Sequence, residues 1–344
     1  MDFSTDYSPR TAAPHDVSRI MRRVLFALVP GTACVWWFFG IGVLVNIVLC
    51  IATALAVEAG ILKLRGRPAV ASLKDGSAMV TGALLALALP TFAPWWIAVL
   101  GTTFAVAVAK HLYGGLGFNP FNPAMAGYAI LIISFPLQVT LWAQPADPLH
   151  QPLSVADTLG LIFNNRLPEG VSLDAITSAT PLDTLKSQLG LNQTLAEIQA
   201  NPLFGSFGGA GWEWINFWFL IGGLWLLRKR VIYWHIPAGM LGALFTMALL
   251  FYLSDSDIYP SPFFHCFSGA SMLGAFFIAT DPVSAATTNR GRLIYGAGIG
   301  IIVYIIRTWG GYPEGISFGV LLMNMAAPTI DYCSRPRVFG HQRK

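Results

Sequence analysis

Long apolar stretches, separated by short polar or Gly/Pro-rich turns, recur along the chain from about residue 24 to residue 330. A helix that crosses a bilayer needs about 20 mostly apolar residues. The pattern predicts ten such segments in two sets of five: 24–39, 41–62, 77–89, 95–111 and 122–135, then 211–227, 231–253, 264–280, 293–307 and 316–330. Several are shorter than a full crossing or interrupted by Gly and Pro. Lipid tolerates this only where neighbouring helices or a cavity satisfy the freed backbone groups. The predicted fold is an all-α integral membrane protein of about ten transmembrane helices. A polar segment (1–23) leads into membrane half one (24–135), a long loop (136–210), membrane half two (211–330) and a tail (331–344).

Composition excludes a soluble globule: 55% of the 344 residues are hydrophobic and 11% charged, against about 25% charged in an ordinary soluble domain. Lipid is the expected surrounding partner. The net charge of +4 is explained by topology, and no nucleic-acid partner is expected. Arg10, Arg19, Arg22 and Arg23 precede helix one, Lys63, Arg65, Arg67 and Lys74 follow helix two, and Lys110 ends helix four. Arg228, Lys229 and Arg230 follow helix six, Arg290 and Arg292 precede helix nine, and Arg335, Arg337, Arg343 and Lys344 lie in the tail. With ten alternating helices all of these share one side, leaving Arg166, Lys186 and Arg307 on the other. The positive-inside rule then makes both termini cytoplasmic and turns the 136–210 loop outward. No small-residue cleavage site follows the first apolar run, so a removable signal peptide is not expected.

A single offset of 192 lays Ala78, Gly82, Ala83 and Pro90 on Ala270, Gly274, Ala275 and Pro282, and Gly127 and Pro136 on Gly319 and Pro328. A repeat of five spans, an odd number, inserts its second copy upside down. The expected architecture is therefore two inverted five-helix repeats, with the working site at their interface near broken helices. Small residues also recur in any tightly packed membrane helix, so the match has a packing explanation too. Cys34, Cys50, Cys266 and Cys333 are scattered without the paired spacing of metal or cluster sites, and no metal site is expected from this chain alone.

Within the outward loop, Thr180-Pro181-Leu182-Asp183 has the signature of a helix start. Thr180 is the N-cap, Pro181 sits at N1 where its missing N–H costs nothing, and Asp183 at N3 completes a capping-box-like pair. Gly190 is the expected stop. Asn122-Pro123 and Asp281-Pro282 read as two further capped helix starts, at membrane boundaries. Their polar neighbours Asn119, Thr287, Thr288 and Asn289 either satisfy local backbone or hold an anionic or hydrogen-bonding cofactor. Glu58 lies about one turn inside the cytoplasmic end of helix two. It is either part of an ion path, the default for an intramembrane acid, or simply reaches Lys63 or water. Lys110 and His111 are expected to snorkel to the interface.

The chain resembles the D-subunit family of the Rnf complexes, and the related B subunit of sodium-pumping NADH:quinone oxidoreductase, essentially end to end. The resemblance rests on the stretches 112–117 and Asn119-Pro120-Phe121-Asn122-Pro123-Ala124, Trp234-His235-Ile236-Pro237, Thr280-Asp281-Pro282-Val283, Thr287 to Arg292 and Arg335 to His341. It rests above all on Asp174-x-x-Thr177-Ser178-Ala179-Thr180, which is similar to the recognition motif of a flavin transferase. The resemblance implies FMN joined through its phosphate to the Thr180 hydroxyl, with Asp174, Thr177, Ser178 and Ala179 as the attachment motif. It implies a second, noncovalent flavin such as riboflavin or FMN, for which Asn119, Asn122, Asp281, Thr287, Thr288 and Asn289 are candidates.

It further implies a flavoprotein component of a ferredoxin:NAD oxidoreductase in the bacterial inner membrane. The implied partners are the A, B, C, E and G subunits and the maturing transferase, and electron flow is coupled to Na⁺ or H⁺ transport. No catalytic residue is assigned. The short polar N-terminus favours the Rnf D subunit over the quinone-reductase B subunit, which carries a longer extension. A flavin-free channel or transporter would suit the inverted plan, but it has no use for a flavinylation motif.

Overall fold

The computed structural model describes residues 14–146, 153–168, 170–191, 193–312 and 314–334. Arg10 and the basic tail from Arg335 lie outside the described residues. Among the described residues ten principal helical segments occupy the two membrane halves, besides a short helix at Ala69–Leu73. In the first they are α1 (Pro14–Phe39), α2 (Gly42–Leu64), α3 (Ser77–Ala88), α4 (Trp95–Phe104, continued by a π-helical stretch over Ala105–Leu112) and α5 (Pro123–Ser134). In the second they are α6 (Trp212–Arg228), α7 (His235–Ser254), α8 (the broken run Pro262–Phe267, Ser271–Leu273 and π-helical Gly274–Ile278), α9 (Asn289–Trp309) and α10 (Ile316–Ser334). Among the described residues six helices are long and apolar enough to cross a membrane by length and composition. With the shorter apolar helices packed among them, the chain is an all-α, multi-pass integral membrane protein.

The same pairings recur in both halves. α2 packs on α3 and α4, and α4 on α5; α7 packs on α8 and α9, and α9 on α10. Across the halves α1 lies against α6 and α5 against α10. One face gathers the start of α1 (Ile20, Met21, Val24), the start of α3 (Ser77), the end of α4 (Lys110) and the N-cap of α5 (Asn122). The same face receives the end of α6 (Leu226) and the end of α8 (Thr280). α1 therefore starts where its counterpart α6 ends, so the second half is upside down. This face carries Arg65 and the Lys110 end of α4 and is called the basic face; the opposite, loop face carries the segment between α5 and α6.

α3 and α5 have 12 residues each, about 18 Å at 1.5 Å per residue, well short of a hydrocarbon core about 30 Å thick. Chain breaks inside the bundle therefore leave backbone groups without helical partners, and two buried asparagines meet them. Asn46 Nδ2 donates to Pro90 O beyond the end of α3 at 2.9 Å. Asn216 Nδ2 donates to Phe267 O and Gly269 O at the break in α8, while its Oδ1 accepts from Met272 N. The halves are tied at the seam by Asn324. Its Oδ1 accepts from Asn122 N, and its Nδ2 donates to Ser284 O and the Tyr295 hydroxyl.

Three sequence expectations are corrected by packing. Lys110 and His111 do not snorkel: they are 2% and 3% exposed. Glu58 meets neither Lys63 nor water. Lys110 Nζ donates to both Glu58 carboxylate oxygens at 2.9 and 2.8 Å and to Ser77 Oγ at 2.8 Å, Ser72 Oγ donates to Glu58, and His111 Nε2 lies 3.6 Å from it. A carboxylate buried on α2 needs a cation more than the surface does, and the π-helical end of α4 faces it. Asp281-Pro282 starts no helix. The Asp281 carboxylate caps a turn through Val283 N and Ser284 Oγ, and α9 begins only after Thr288, whose hydroxyl accepts from Gly291 N.

Candidate functional site

The loop folds back over the seam. Residues Thr177–Ser178 form a strand (β2) paired antiparallel with Trp142–Ala143 (β1), Trp142 opposite Ser178. This pairing aims the following turn at the bundle. Thr180 then caps a helix over Pro181–Gly190, its hydroxyl accepting from Asp183 N at 3.2 Å with Pro181 at N1. The reciprocal half of a capping box is not made, and Leu191 rather than Gly190 occupies the C-cap. The helix buries Pro181, Leu182 and Leu185. Lys186 Nζ reaches across to Ile306 O at the end of α9 and to Tyr312 O, at 3.0 and 3.1 Å.

Partial burial pushes the Asp183 carboxyl up from its ordinary value, against the attraction of Lys186, and pushes the Lys186 ammonium down, against Asp183. Lys186 is thus the cation beside the carboxylate nearest the Thr180 cap.

Within the motif the structure separates the two threonines. Thr177 is buried and its hydroxyl donates to Leu173 O at 2.9 Å. Asp174 and Ala179 are exposed and Ser178 half-buried. Thr180 is half-exposed and lines a cavity of about 650 Å³ between the halves, solvent space included. Trp142 and Trp212 meet edge to face at 4.9 Å and form one wall, backed by Phe39. Tyr128, Glu314 and Ser317 supply polar groups. The Ser317 hydroxyl is buried with no hydrogen-bond partner, an orphan that a polar ligand would satisfy. Aromatic walls with a few convergent polar groups are the kind of lining that suits a flat heteroaromatic ligand. At the Thr180 cap, Pro181 brings no N–H and the Asp183 N–H is taken by Thr180 itself, so an anion there would meet the Leu182 N–H and the positive end of the helix dipole.

A second cavity, about 860 Å³ with solvent space included, opens between the halves on the basic face. Asn119, Asn122 and Asp281 converge there with Lys110, Ser77, Thr81 and Thr280. Asn122 is bound at both ends, donating to Ile278 O and accepting from Met125 N. Asn119 Oδ1 is buried without a partner, so this site also presents an unmet polar atom to a ligand. Thr287, Thr288 and Asn289 do not join it. Thr287 donates to Asp331, Thr288 caps α9 and contacts Ser334, and Asn289 accepts from Arg292. Glu58 touches the cavity only through Lys110.

Sequence reasoning missed Glu314, Arg307, Tyr128, Ser317, Trp142 and Trp212. For Glu314 a signal existed. The repeat offset of 192 carries Asn122, just before α5 and on the basic-face cavity, onto Glu314, just before α10 and on the loop-face cavity.

The chain is 51% identical over 351 residues to the D subunit of the ion-translocating oxidoreductase complex of Escherichia fergusonii, covering 100% of both proteins. It is 53% identical over 342 residues to the protein of the same description from Pseudomonas aeruginosa, covering 97% of this chain and 96% of the relative. It is 50% identical to the one from Aliivibrio salmonicida over the full length of both. The profile of the "NQR2, RnfD, RnfE family" matches residues 4–340. The chain belongs to the NQR2, RnfD, RnfE family.

Proposed function

We propose that this chain is the D subunit of an Rnf-type ion-translocating oxidoreductase complex and works as its membrane flavoprotein. FMN is carried as a phosphoester on Thr180, and a second flavin, riboflavin or FMN, is held noncovalently in the basic-face cavity. The observation that carries the reading is the placement of Thr180: it is half-exposed and lines an aromatic-walled cavity, whereas Thr177 is buried and its hydroxyl donates to Leu173 O. Full-length similarity to proteins named as D subunits supports the assembly. The partners are then the A, B, C, E and G subunits, with a flavin transferase acting during maturation. A bacterial inner membrane with the basic face cytoplasmic and the loop periplasmic follows from the positive-inside rule.

The bound flavins supply one- and two-electron redox chemistry. The protein supplies placement. The two cavities lie end to end in the seam, sharing α3 (Leu84 and Leu87), α5 (Ala124 and Met125) and α8 (Phe277 and Ile278) between them. About one helical turn of protein therefore separates a site on each face, which suits a relay across the membrane coupled to Na⁺ or H⁺ movement. Electrons enter and leave through the other proteins of the complex.

Ultraviolet illumination of a denaturing gel tests the attachment. A fluorescent band is expected from the purified protein, lost in Thr180→Val and retained in Thr177→Val. Peptide mapping that placed flavin on Thr177, Ser178 or Thr184 would overturn the assignment.

A further inference from the structure

Arg307 is one of three basic residues assigned to the loop face, and it forms with Glu314 a pair whose two ends sit in different surroundings. The arginine is behind the wall, its side chain 1% exposed; the carboxylate is 20% exposed and lines the cavity onto which Thr180 opens. Arg307 Nη1 donates to His265 O and Nη2 to Ser268 O and Ser271 Oγ, so the guanidinium is fixed by backbone and side chain alike. Glu314 Oε1 accepts from Arg307 Nε and Nη2 and from Gly315 N, and Oε2 from Arg307 Nη2 and Ala270 N. Gly269, at φ +59°, makes room for this arrangement, since a Cβ there would collide with Glu314 Oε2 and with Leu182 Cδ1.

The same anchor sets the distance to Thr180. Leu182 packs over Gly269, and Lys186 is tied to the carbonyls of Ile306, next to Arg307, and of Tyr312, two residues before Glu314. Thr180 and Glu314 are thereby held as one unit. The carboxylate already accepts from Arg307 Nε and Nη2 and from the amides of Ala270 and Gly315, so its role in the cavity is that of a fixed negative charge, balanced from behind by a fixed positive one. A charge placed in a dry wall acts on a neighbouring redox group far more strongly than one in water.

We propose that the Glu314–Arg307 pair is the positioning element that sets the reduction potential of the flavin on Thr180. Arg307 acts through Glu314, and Tyr128 and Ser317 are the other polar residues lining the cavity. The inference rests on the Thr180 reading above. No covalent bond changes in this step. One-electron reduction of a flavin held there would draw the electron from a one-electron carrier elsewhere in the complex, which is oxidised, and the pair would bias that gain through its charge alone.

The test is a redox titration of the full-length purified protein, with the spectrum of Thr180→Val subtracted so that only the covalent flavin is read. Glu314→Gln leaves Arg307 uncompensated and should raise the one-electron affinity at least tenfold, about 59 mV. Arg307→Met leaves the carboxylate uncompensated and should lower it at least tenfold, while Arg307→Lys, which keeps the charge, should stay within twofold of the parent. A purely structural pair would shift Glu314→Gln and Arg307→Met the same way or not at all. Either result, with covalent flavin retained, overturns the proposal. If neither variant inserts, Glu314→Asp, which draws the carboxylate back by one methylene and keeps its charge, must still move the potential more than twofold, and no movement overturns the proposal. Absence of the fluorescent band from the parent protein fails the Thr180 reading itself and removes the basis of both.

Discussion

Thr180 carries two burdens that chemistry can pull apart. As an N-cap its oxygen accepts the Asp183 amide at 3.2 Å. As the flavin acceptor proposed above it would also have to offer a nucleophilic hydroxyl. Thr180→Val removes both capacities, whereas Thr180→Asn keeps a side-chain oxygen that caps at least as well as threonine but forms no phosphoester. Losing the cap costs about 1 kcal/mol, roughly a fivefold rise in the opening equilibrium of the first turn. The helix stays docked because Pro181, Leu182 and Leu185 remain buried and Lys186 keeps its two carbonyl partners, so the effect is local. Hydrogen exchange of the 181–190 peptide should be about fivefold faster in Thr180→Val than in Thr180→Asn, while neither shows covalent flavin by in-gel fluorescence. Equal exchange in the two variants would refute the cap reasoning, and a fluorescent band in Thr180→Asn would refute the acceptor.

Lys110→Met leaves the Glu58 carboxylate buried without its cation and should cost about 3–5 kcal/mol; the Glu58→Gln/Lys110→Met double variant should recover most of it. Thermal melts in detergent read both, and a Lys110→Met protein that melts like the parent contradicts the buried pair. Glu197 accepts from the Thr194 amide at 2.9 Å, and this hydrogen bond, with that of the Thr194 side chain, holds its carboxyl below the ordinary 4.5. A lowered folded value means that its stabilising contribution is present above the ordinary value and lost as pH falls through the folded one. Exchange in Leu195–Gln199, corrected for intrinsic rate, should therefore accelerate on acidification below that range, and a flat profile would count against the capping box. For orientation, Ser206→Cys should react with an impermeant maleimide in whole cells and Lys229→Cys should not; the reverse pattern inverts the topology.

What the amino-acid order determined by itself was whatever depends on neighbours along the chain. Ten apolar runs, the Thr180-Pro181 and Asn122-Pro123 helix starts, and the offset relating the halves are all local or periodic, and lipid enforces them because an unpaired backbone group has no water to turn to. The motif proposed here for flavin attachment is local in the same way, seven consecutive residues from Asp174 to Thr180.

Tertiary structure alone decided which of those residues share a site. Asn119, Asn122 and Asp281 meet across the seam, while Thr287, Thr288 and Asn289, close to Asp281 in sequence, turn instead to Asp331 and to the start of α9. Asp281 reads as a helix cap but closes a turn, because Asp-Pro serves turns and helices alike. The Glu58–Lys110 pair spans 52 positions, and Arg307 finds Glu314 only because the chain reverses between α9 and α10. No periodicity encodes such pairings. A buried charge takes whichever opposite charge packing brings within reach, since the cost of leaving it alone in a low-dielectric interior exceeds any preference written into the local chain.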